Sequence, residues 1–411
     1  MFTLFCSLQV LISMDHGIVP ASTLAIADSF EIDESRLGLM GSAVFLGIVA
    51  NGVVAGRIYQ ILDTKKVMVA GLVCSQLSLM LLVLARWYYV ALLARFLTGA
   101  FQVFHVIFLP VWIDRNGGEN RTSWITIFQA STPVGIFLGY ALTAVLVTFY
   151  PWRYAFIVQI ILILGSVLVI LRIPDDQVDI RGAQSDIQDY FTSLKQVLGS
   201  RLYRNCVLVF SNLLFVVTGI QFWMTDYFIR VLKVDRTIVN VGFVFISITA
   251  PVLGTVFGGW AVDRMGGYSD PRTVKLLLGL VLLCAIPSQL IPYLNSFALV
   301  VLLLWSLLFW GGAMIPGLTG LIMVSVPAEL RSFGNSKAEL LKNLIGYFPS
   351  PFIYGMTIQF FSDERSGLKM LMMATFLSPL LLGSLLLGEM KIYADVEKLK
   401  EGTEKGLDEI D

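Results

Sequence analysis

An all-helical integral membrane fold, with twelve transmembrane helices in two six-helix bundles, is predicted by three features of this 411-residue sequence. The first is composition. Hydrophobic residues make up 56% and charged residues 14%, with a mean hydropathy of +0.78, more apolar surface than a soluble domain of this length can bury. The second is length: roughly 30 Å of hydrocarbon takes roughly 20 apolar residues per helix, so the chain and its loops accommodate about twelve spans. The third is a repeat. GRIYQILDTKK from Gly56 to Lys66 and GGWAVDRMGG from Gly258 to Gly267 each follow one glycine-bearing apolar segment and introduce another, on the order of two hundred residues apart. Internal repetition in so apolar a chain fits two helical bundles of the secondary-transporter kind.

Apolar runs between charged or turn-forming breaks place the spans in order at 2–26, 37–58, 67–85, 88–111, 122–147 and 152–171. These form the first bundle, residues 1–171. The stretch 172–205 contains Pro174, several aspartates and the amphipathic piece DYFTSLKQVLG, is too charged to insert, and reads as a connecting loop. The second bundle, 206–388, takes spans near 206–229, 238–262, 273–292, 297–323, 335–358 and 368–388, and a polar tail at 389–411 closes the chain.

Loops rich in Lys and Arg stay in the cytosol. Arg57, Lys65, Lys66, Arg115, Arg121, the basic residues of the connecting loop, Arg264, Arg272, Lys275, Arg331 and the tail lysines share one side, against a smaller group that includes Arg230, Lys233 and Arg236. Both termini, both repeat loops and the connecting loop are therefore expected in the cytosol. The first span starts near Met1 with no basic leader and Asp15 in its middle, so no cleaved signal peptide is expected. The formal net charge of zero gives no reason to expect a nucleic-acid partner. Cys6, Cys74, Cys206 and Cys284 all lie in apolar spans, where cysteine behaves as a small hydrophobe, so neither disulfides nor a metal site nor a cofactor is expected.

Gly259, Asp263, Arg264 and Gly266 form the pattern G-x-x-x-D-R-x-G. In the first half Gly56, Lys65 and Lys66 keep the frame, with Gln60 at the aspartate position and Asp63 at the second glycine position. An acidic residue near helix ends pairs with basic groups or caps amides, and can hold two bundles together until transport breaks the contact; a solvated loop charge is the plain alternative. The pattern resembles the motif that closes the cytosolic ends of paired helices in the major facilitator superfamily.

In span 4, Arg95 and Gln102 are seven residues apart and share a helix face, with His105 within about 60° of Gln102. An ionisable side chain inside a span needs a partner, since lipid exposure costs about 2.5–3.5 kcal/mol even on the lenient insertion scale. Asp15 lies roughly 16 Å below the outer end of span 1 and Arg95 roughly 10 Å below that of span 4, a difference an extended arginine can bridge. Two readings stand here: an Asp15–Arg95 pair at a functional cavity, or a structural role in which arginine pairs with Asp15 or with backbone carbonyls.

SMDHGIVP in span 1, RFLTGAFQVFHVIFLPVWID from Arg95 to Asp114 and STPVGIFLGY from Ser131 to Tyr140 resemble the spinster branch of the same superfamily. Arg95, Gly99, Pro110 and Asp114 keep its spacing, Pro133, Val134, Gly135, Leu138, Gly139 and Tyr140 match its span 5 signature, and Arg331, Ser332, Gly346, Ser350, Pro351 and Gly355 match late in the chain. The resemblance implies alternating-access transport of an amphipathic lipid, a lysophospholipid or sphingoid lipid, in a plasma or endolysosomal membrane, in some members coupled to protons. Two positions depart. Gln102 stands in place of the branch's span 4 glutamate, and an amide cannot titrate; His16 replaces the arginine after the span 1 aspartate. Proton coupling would run through Asp15, His16 or His105, and uncoupled facilitated exchange is the alternative.

Span 11 opens with Lys337, Glu339, Lys342 and Asn343. Lys342 reads as a partner of Glu339 at i, i+3 or as a contact for a lipid phosphate or carboxylate. Gly52 with Gly56, Gly135 with Gly139 and Gly254 with Gly258 read as packing and sliding surfaces. No G-x-S-x-G, H-E-x-x-H or phosphate-cradling glycine loop occurs, so an enzyme is not expected. The expected molecule is a monomer, with Asp15, Arg95 and Gln102 on the first-half side of a central site and Lys342 on the other. The alternatives are transport of a small organic anion or other polar solute, and a non-transporting receptor or scaffold of the same fold.

Overall fold

Span 1 shows how local chemistry shapes this molecule, because it is three helices instead of one: α1 (Phe2–Ser13), α2 (Asp15–Ala21) and α3 (Thr23–Phe30). Pro20 has no N–H to give, so the hydrogen-bond ladder lapses and Ser22 leaves the helical region at φ −115°. The computed structural model describes residues 1–147, 149–180, 190–268, 272–327 and 330–387. The rest of the first half is α4 (Glu34–Ile61), α5 (Thr64–Leu84), α6 (Tyr88–Asn116), α7 (Arg121–Leu146) and α8 (Arg153–Leu171). Asp33 caps α4, accepting from Arg36 N at 2.8 Å.

A short helix, α9 (Tyr190–Gly199), precedes the second half. There follow α10 (Arg201–Arg230), α11 (Arg236–Arg264), α12 (Arg272–Ser288), α13 (Phe297–Val324), α14 (Arg331–Leu341), a π-helical segment (Lys342–Tyr347), α15 (Pro349–Phe361) and α16 (Glu364–Ala374), which continues as one apolar span to Leu387. Among the described residues, ten helical segments are long and apolar enough to cross a bilayer. The 28-residue α4 and the broken rod of α14, π segment and α15 occupy the places of the second and eleventh spans. Span 11 is thus not the single helix over 335–358 that its hydropathy suggests, because Pro349 and Pro351 lack amide donors where a continuous ladder would need them. The tail from 388 onward and part of the connecting loop, 181–189, lie outside the described residues.

Apolar clusters show where the two halves meet. Phe5, Phe108, Ile163 and Val178 belong to a core confined to the first half, and Tyr203, Leu277, Leu318 and Leu382 to one confined to the second. Both lie toward the face that carries the chain start and the connecting loop, here the near face. At the opposite, far face a single cluster joins Ile18, Leu37 and Phe156 to Trp223, Phe228, Phe243 and Leu371. The halves are fused on the far side and hold separate cores on the near side.

Two glycines make the far-side crossing of α4 and α15 possible. A Cβ on Gly38 would sit 2.3 Å from the Pro351 carbonyl oxygen, and one on Gly355 would sit 2.2 Å from that of Glu34. Only a hydrogen in place of a side chain lets the backbones approach that closely. The connecting loop begins as a strap on the first half: Lys65 Nζ lies 2.9 Å from Asp175 Oδ1, Trp112 Nε1 donates to Gln177 O at 2.9 Å, and Thr64 Oγ1 donates to Asp179 at 2.9 Å.

Candidate functional site

The break after α1 sets Asp15 at the first turn of α2, facing α6. There Arg95 Nη1 donates to Asp15 Oδ2 at 3.0 Å and Gln102 Nε2 donates to the same oxygen at 3.3 Å. Asp15 is fully buried, and Arg95 and Gln102 are 1% and 2% exposed, so the charges face the bundle interior and not lipid, as cost requires. Satisfaction is incomplete: Asp15 Oδ1 and Arg95 Nε have no hydrogen-bond partner. His16 Nε2 approaches Asp15 Oδ1 at 3.6 Å, close enough for attraction but too long for a hydrogen bond.

A ring stack connects this cluster to the second half. His16 lies on Phe45 of α4 with centroids 5.1 Å apart, and Phe45 lies on Tyr347 of the π segment at 5.0 Å. His16 also lines a narrow, partly open space between the halves, together with Pro20, Tyr140, Gln221, Phe243 and Ser247. Asp15 and Arg95 do not line it. His16 is the member of this group that reaches the space.

The other expected site residues fall elsewhere. His105 is 1% exposed, but neither ring nitrogen has a partner, and its ring lies beside Phe108 at 6.5 Å. The polar stripe expected along span 4 thus ends at Gln102, because the turn carrying His105 packs on aromatic residues. Lys342 takes the ion-pair option, with Nζ 2.5 Å from Glu339 Oε1 and 4.2 Å from the centroid of Phe210. It starts the π segment, whose wide turn places Tyr347 toward α4.

The contacts that the described residues give for the repeat loops stay within one half. Lys66 pairs with Asp63 at 2.6 Å within one turn, and Lys65 donates to Ile173 O at 2.6 Å in addition to its contact with Asp175. All of these partners belong to the first half and its strap. The Gln60 side chain lies outside the described residues. Asp263, Arg264 and Gly266 are exposed, and among the described residues Asp263 and Arg264 make no ion pair; Arg264 lies over Trp260 at 5.3 Å. Gly266, at φ 101°, ends α11 in a conformation suited to glycine. Nothing lies within 4 Å of a Cβ built on Gly56 or Gly259, so Gly56 is not the packing surface its spacing from Gly52 suggests.

Gly135 and Gly139, flanking the path of Pro133 in α7, do pack: their built Cβ atoms fall 2.2 and 2.0 Å from the carbonyl oxygens of Val10 and Met14. Gly254 and Gly258 meet Phe309 and Ala313 of α13 in the same way, at 2.0 and 1.9 Å. Both contacts stay within one half and are fixed packing, not sliding surfaces between halves.

A set of cross-half hydrogen bonds and ion pairs gathers at the far face. Thr23 Oγ1 donates to Asp226 Oδ1 at 2.7 Å, Arg230 Nη1 meets Glu34 Oε1 at 2.8 Å, and the Tyr140 hydroxyl lies 2.8 Å from Thr225 Oγ1 and donates to Asn240 Oδ1 at 3.1 Å. Sequence reasoning missed this set. Asp226 carries a usable signal, an acid inside the apolar run 206–229.

The family description Major Facilitator Superfamily matches residues 4–351. A spinster homolog 3 from Danio rerio is 27% identical over 233 residues, 55% of this chain and 47% of that protein. A probable sphingolipid transporter, spinster homolog 2 of Arabidopsis thaliana, is 21% identical over 264 residues, 60% of this chain and 54% of that one. The chain spans about half the length of these curated relatives. A bacterial homolog of the human lysosomal transporter Spinster, in an inward-facing and unoccupied conformation, superposes with a TM-score of 0.78 at 14% identity, covering 93% of this chain and 95% of that one. The fold, the family match and the spinster-like motifs agree: the chain belongs to the major facilitator superfamily and resembles its spinster branch.

Proposed function

We propose that this chain is a secondary active or facilitative transporter working by alternating access, carrying an amphipathic lipid with an anionic head such as a lysophospholipid or a sphingoid lipid. The observation that carries the reading is a buried Asp15–Arg95–Gln102 cluster beside His16, which lines a space between the halves. The cavity wall is largely apolar, with Ile136, Phe137, Phe243 and Val244 beside it, which suits an acyl or sphingoid chain better than a sugar-like solute. Fusion of the cores at one face only is a state alternating access requires. In this reading 1–171 and 206–388 are the moving bundles, 172–205 connects them, 389–411 is a cytosolic tail, and the near face is cytosolic in a plasma or endolysosomal membrane. One copy holds the complete path and acts as a monomer.

The substrate head reaches Arg95 when the His16–Phe45–Tyr347 stack parts, and exchanges with Asp15 for the guanidinium. Protons, if coupled, pass through Asp15 and His16. The test is uptake of labelled lysophosphatidylcholine and sphingosine phosphate into proteoliposomes, with and without a pH gradient, for the native chain, Arg95→Ala and the charge-retaining Arg95→Lys. Saturable flux lost in the alanine variant and partly kept in the lysine variant is expected. Folded native protein that moves neither lipid overturns the lipid reading.

A further inference from the structure

A second, narrow space, open at its mouth, lies at the far face, away from the Asp15 cluster. All its lining residues except Glu34 belong to the second half. Asp226 and Tyr227 line it while 4% and 3% exposed, and Asp226 Oδ2 and the Tyr227 hydroxyl have no hydrogen-bond partner. A buried carboxylate oxygen and a buried phenol, each without a partner, are costly unless something supplies one.

Charge and shape narrow what that is. Glu34 and Arg230 neutralise each other at 2.8 Å. Asp226 receives only the neutral Thr23 hydroxyl at 2.7 Å. Glu364 adds a further carboxylate at the rim, leaving the lining with more acid than base. Arg236 stands at the start of α11 and donates to Ala21 O at 3.4 Å, while Arg365 is engaged by Asn295 at 2.5 Å. Neither makes an ion pair with Asp226 among the described residues. Trp223 and Tyr354 line the same space and stack on each other, centroids 5.3 Å apart and 10° from parallel, as an aromatic wall. A bare metal ion wants several oxygens around it; one carboxylate oxygen, one phenol and an aromatic wall suit an alkylammonium, which brings N–H donors and a cation for the ring faces.

We propose that this far-face cavity binds the primary ammonium group of an organic cation, with Asp226 and Tyr227 accepting its N–H bonds and the Trp223–Tyr354 wall holding its first carbon atoms. Thr23 and Glu34 are the lid. When the halves part at the far face both leave with the first half, freeing the second oxygen of Asp226, so the site loads from the far side. The site is separate from the Arg95 cluster and stands whether or not that cluster moves a lipid.

The test titrates ethanolammonium chloride into full-length protein in nanodiscs at constant pH, against choline chloride and sodium chloride at equal ionic strength, reading tryptophan fluorescence and thermal stability. A saturable response to ethanolammonium is expected, about tenfold weaker for choline, which has no N–H to donate, and absent for sodium. Asp226→Asn weakens the response at least about tenfold, Tyr227→Phe weakens it by a smaller factor, and Trp223→Phe removes the fluorescence change while ethanolammonium still raises the Tm. Equal responses to all three salts overturn the proposal, as does native-like binding by Tyr227→Phe together with Asp226→Asn. If Asp226→Asn does not fold, the choline comparison and Tyr227→Phe decide.

Discussion

Arg95 and Asp15 show what one buried pair demands of its surroundings. At 1% and 0% exposure neither charge can fall back on water, so removing one partner leaves the other uncompensated. Arg95→Ala is expected to lower stability by roughly 3–5 kcal/mol, and Asp15→Ala on top of it to recover part of the loss, in a double-mutant cycle read by unfolding in micelles. A loss under about 1 kcal/mol would show the pair is hydrated and not buried. Both residues and Gln102 were legible in the sequence, because a polar group in an apolar run announces itself. His105 was legible as a residue but not as a neighbour: helical geometry gives an angle around α6, and only packing reveals that Phe108 and not a carboxylate faces it.

At the scale of elements, hydropathy located the spans but not their breaks. The interruptions in spans 1 and 11 fall at residues whose consequence depends on which neighbour fills the gap. The α4–α15 crossing makes a sharp prediction. Gly355→Val places carbon where the Glu34 carbonyl oxygen stands 2.2 Å from even the first Cβ, so the far face should not close. Spin labels at Asp28 and Lys233, both exposed on opposite halves, should report a longer distance than in the parent; an unchanged distance would mean the backbones can shift to admit the side chain. Asp363 stands just before span 12, caps α16 through Arg365 N at 3.0 Å and meets Lys369 Nζ at 3.1 Å. The backbone hydrogen bond, with help from Lys369, holds its carboxyl below the usual carboxylate range. A lowered folded-state value gives stability that is present above the unfolded-state pKa of about 3.9 and lost as pH falls through the lower folded one. Asp363→Ala should therefore cost about 1 kcal/mol near neutral pH, typical of a lost cap, and nothing at pH well below the carboxylate range, measured by paired melts.

For the whole molecule, the two faces carry different contacts. The far face holds the cross-half bonds of Thr23, Glu34 and Tyr140, while the near-face motif residues Asp263 and Arg264 stand exposed. Asp263→Asn should leave stability within the roughly 0.5 kcal/mol scatter of surface changes, yet slow flux, the outcome expected of a proposed gate residue that finds its partner only when the near face closes. Equal slowing of flux and loss of stability would place Asp263 in the fold and not in the gate. The sequence by itself determined the membrane class, the helical fold, most of the spans and the polar residues inside them, since these depend on hydrophobic runs and local spacing. Tertiary structure alone decided that α4 crosses α15 through paired glycines, that Lys65 holds the strap and not the other bundle, and that Asp226 faces an acceptor-rich cavity. The reason is that those facts join residues far apart in the chain, and which distant partner satisfies a buried group is settled by helix packing.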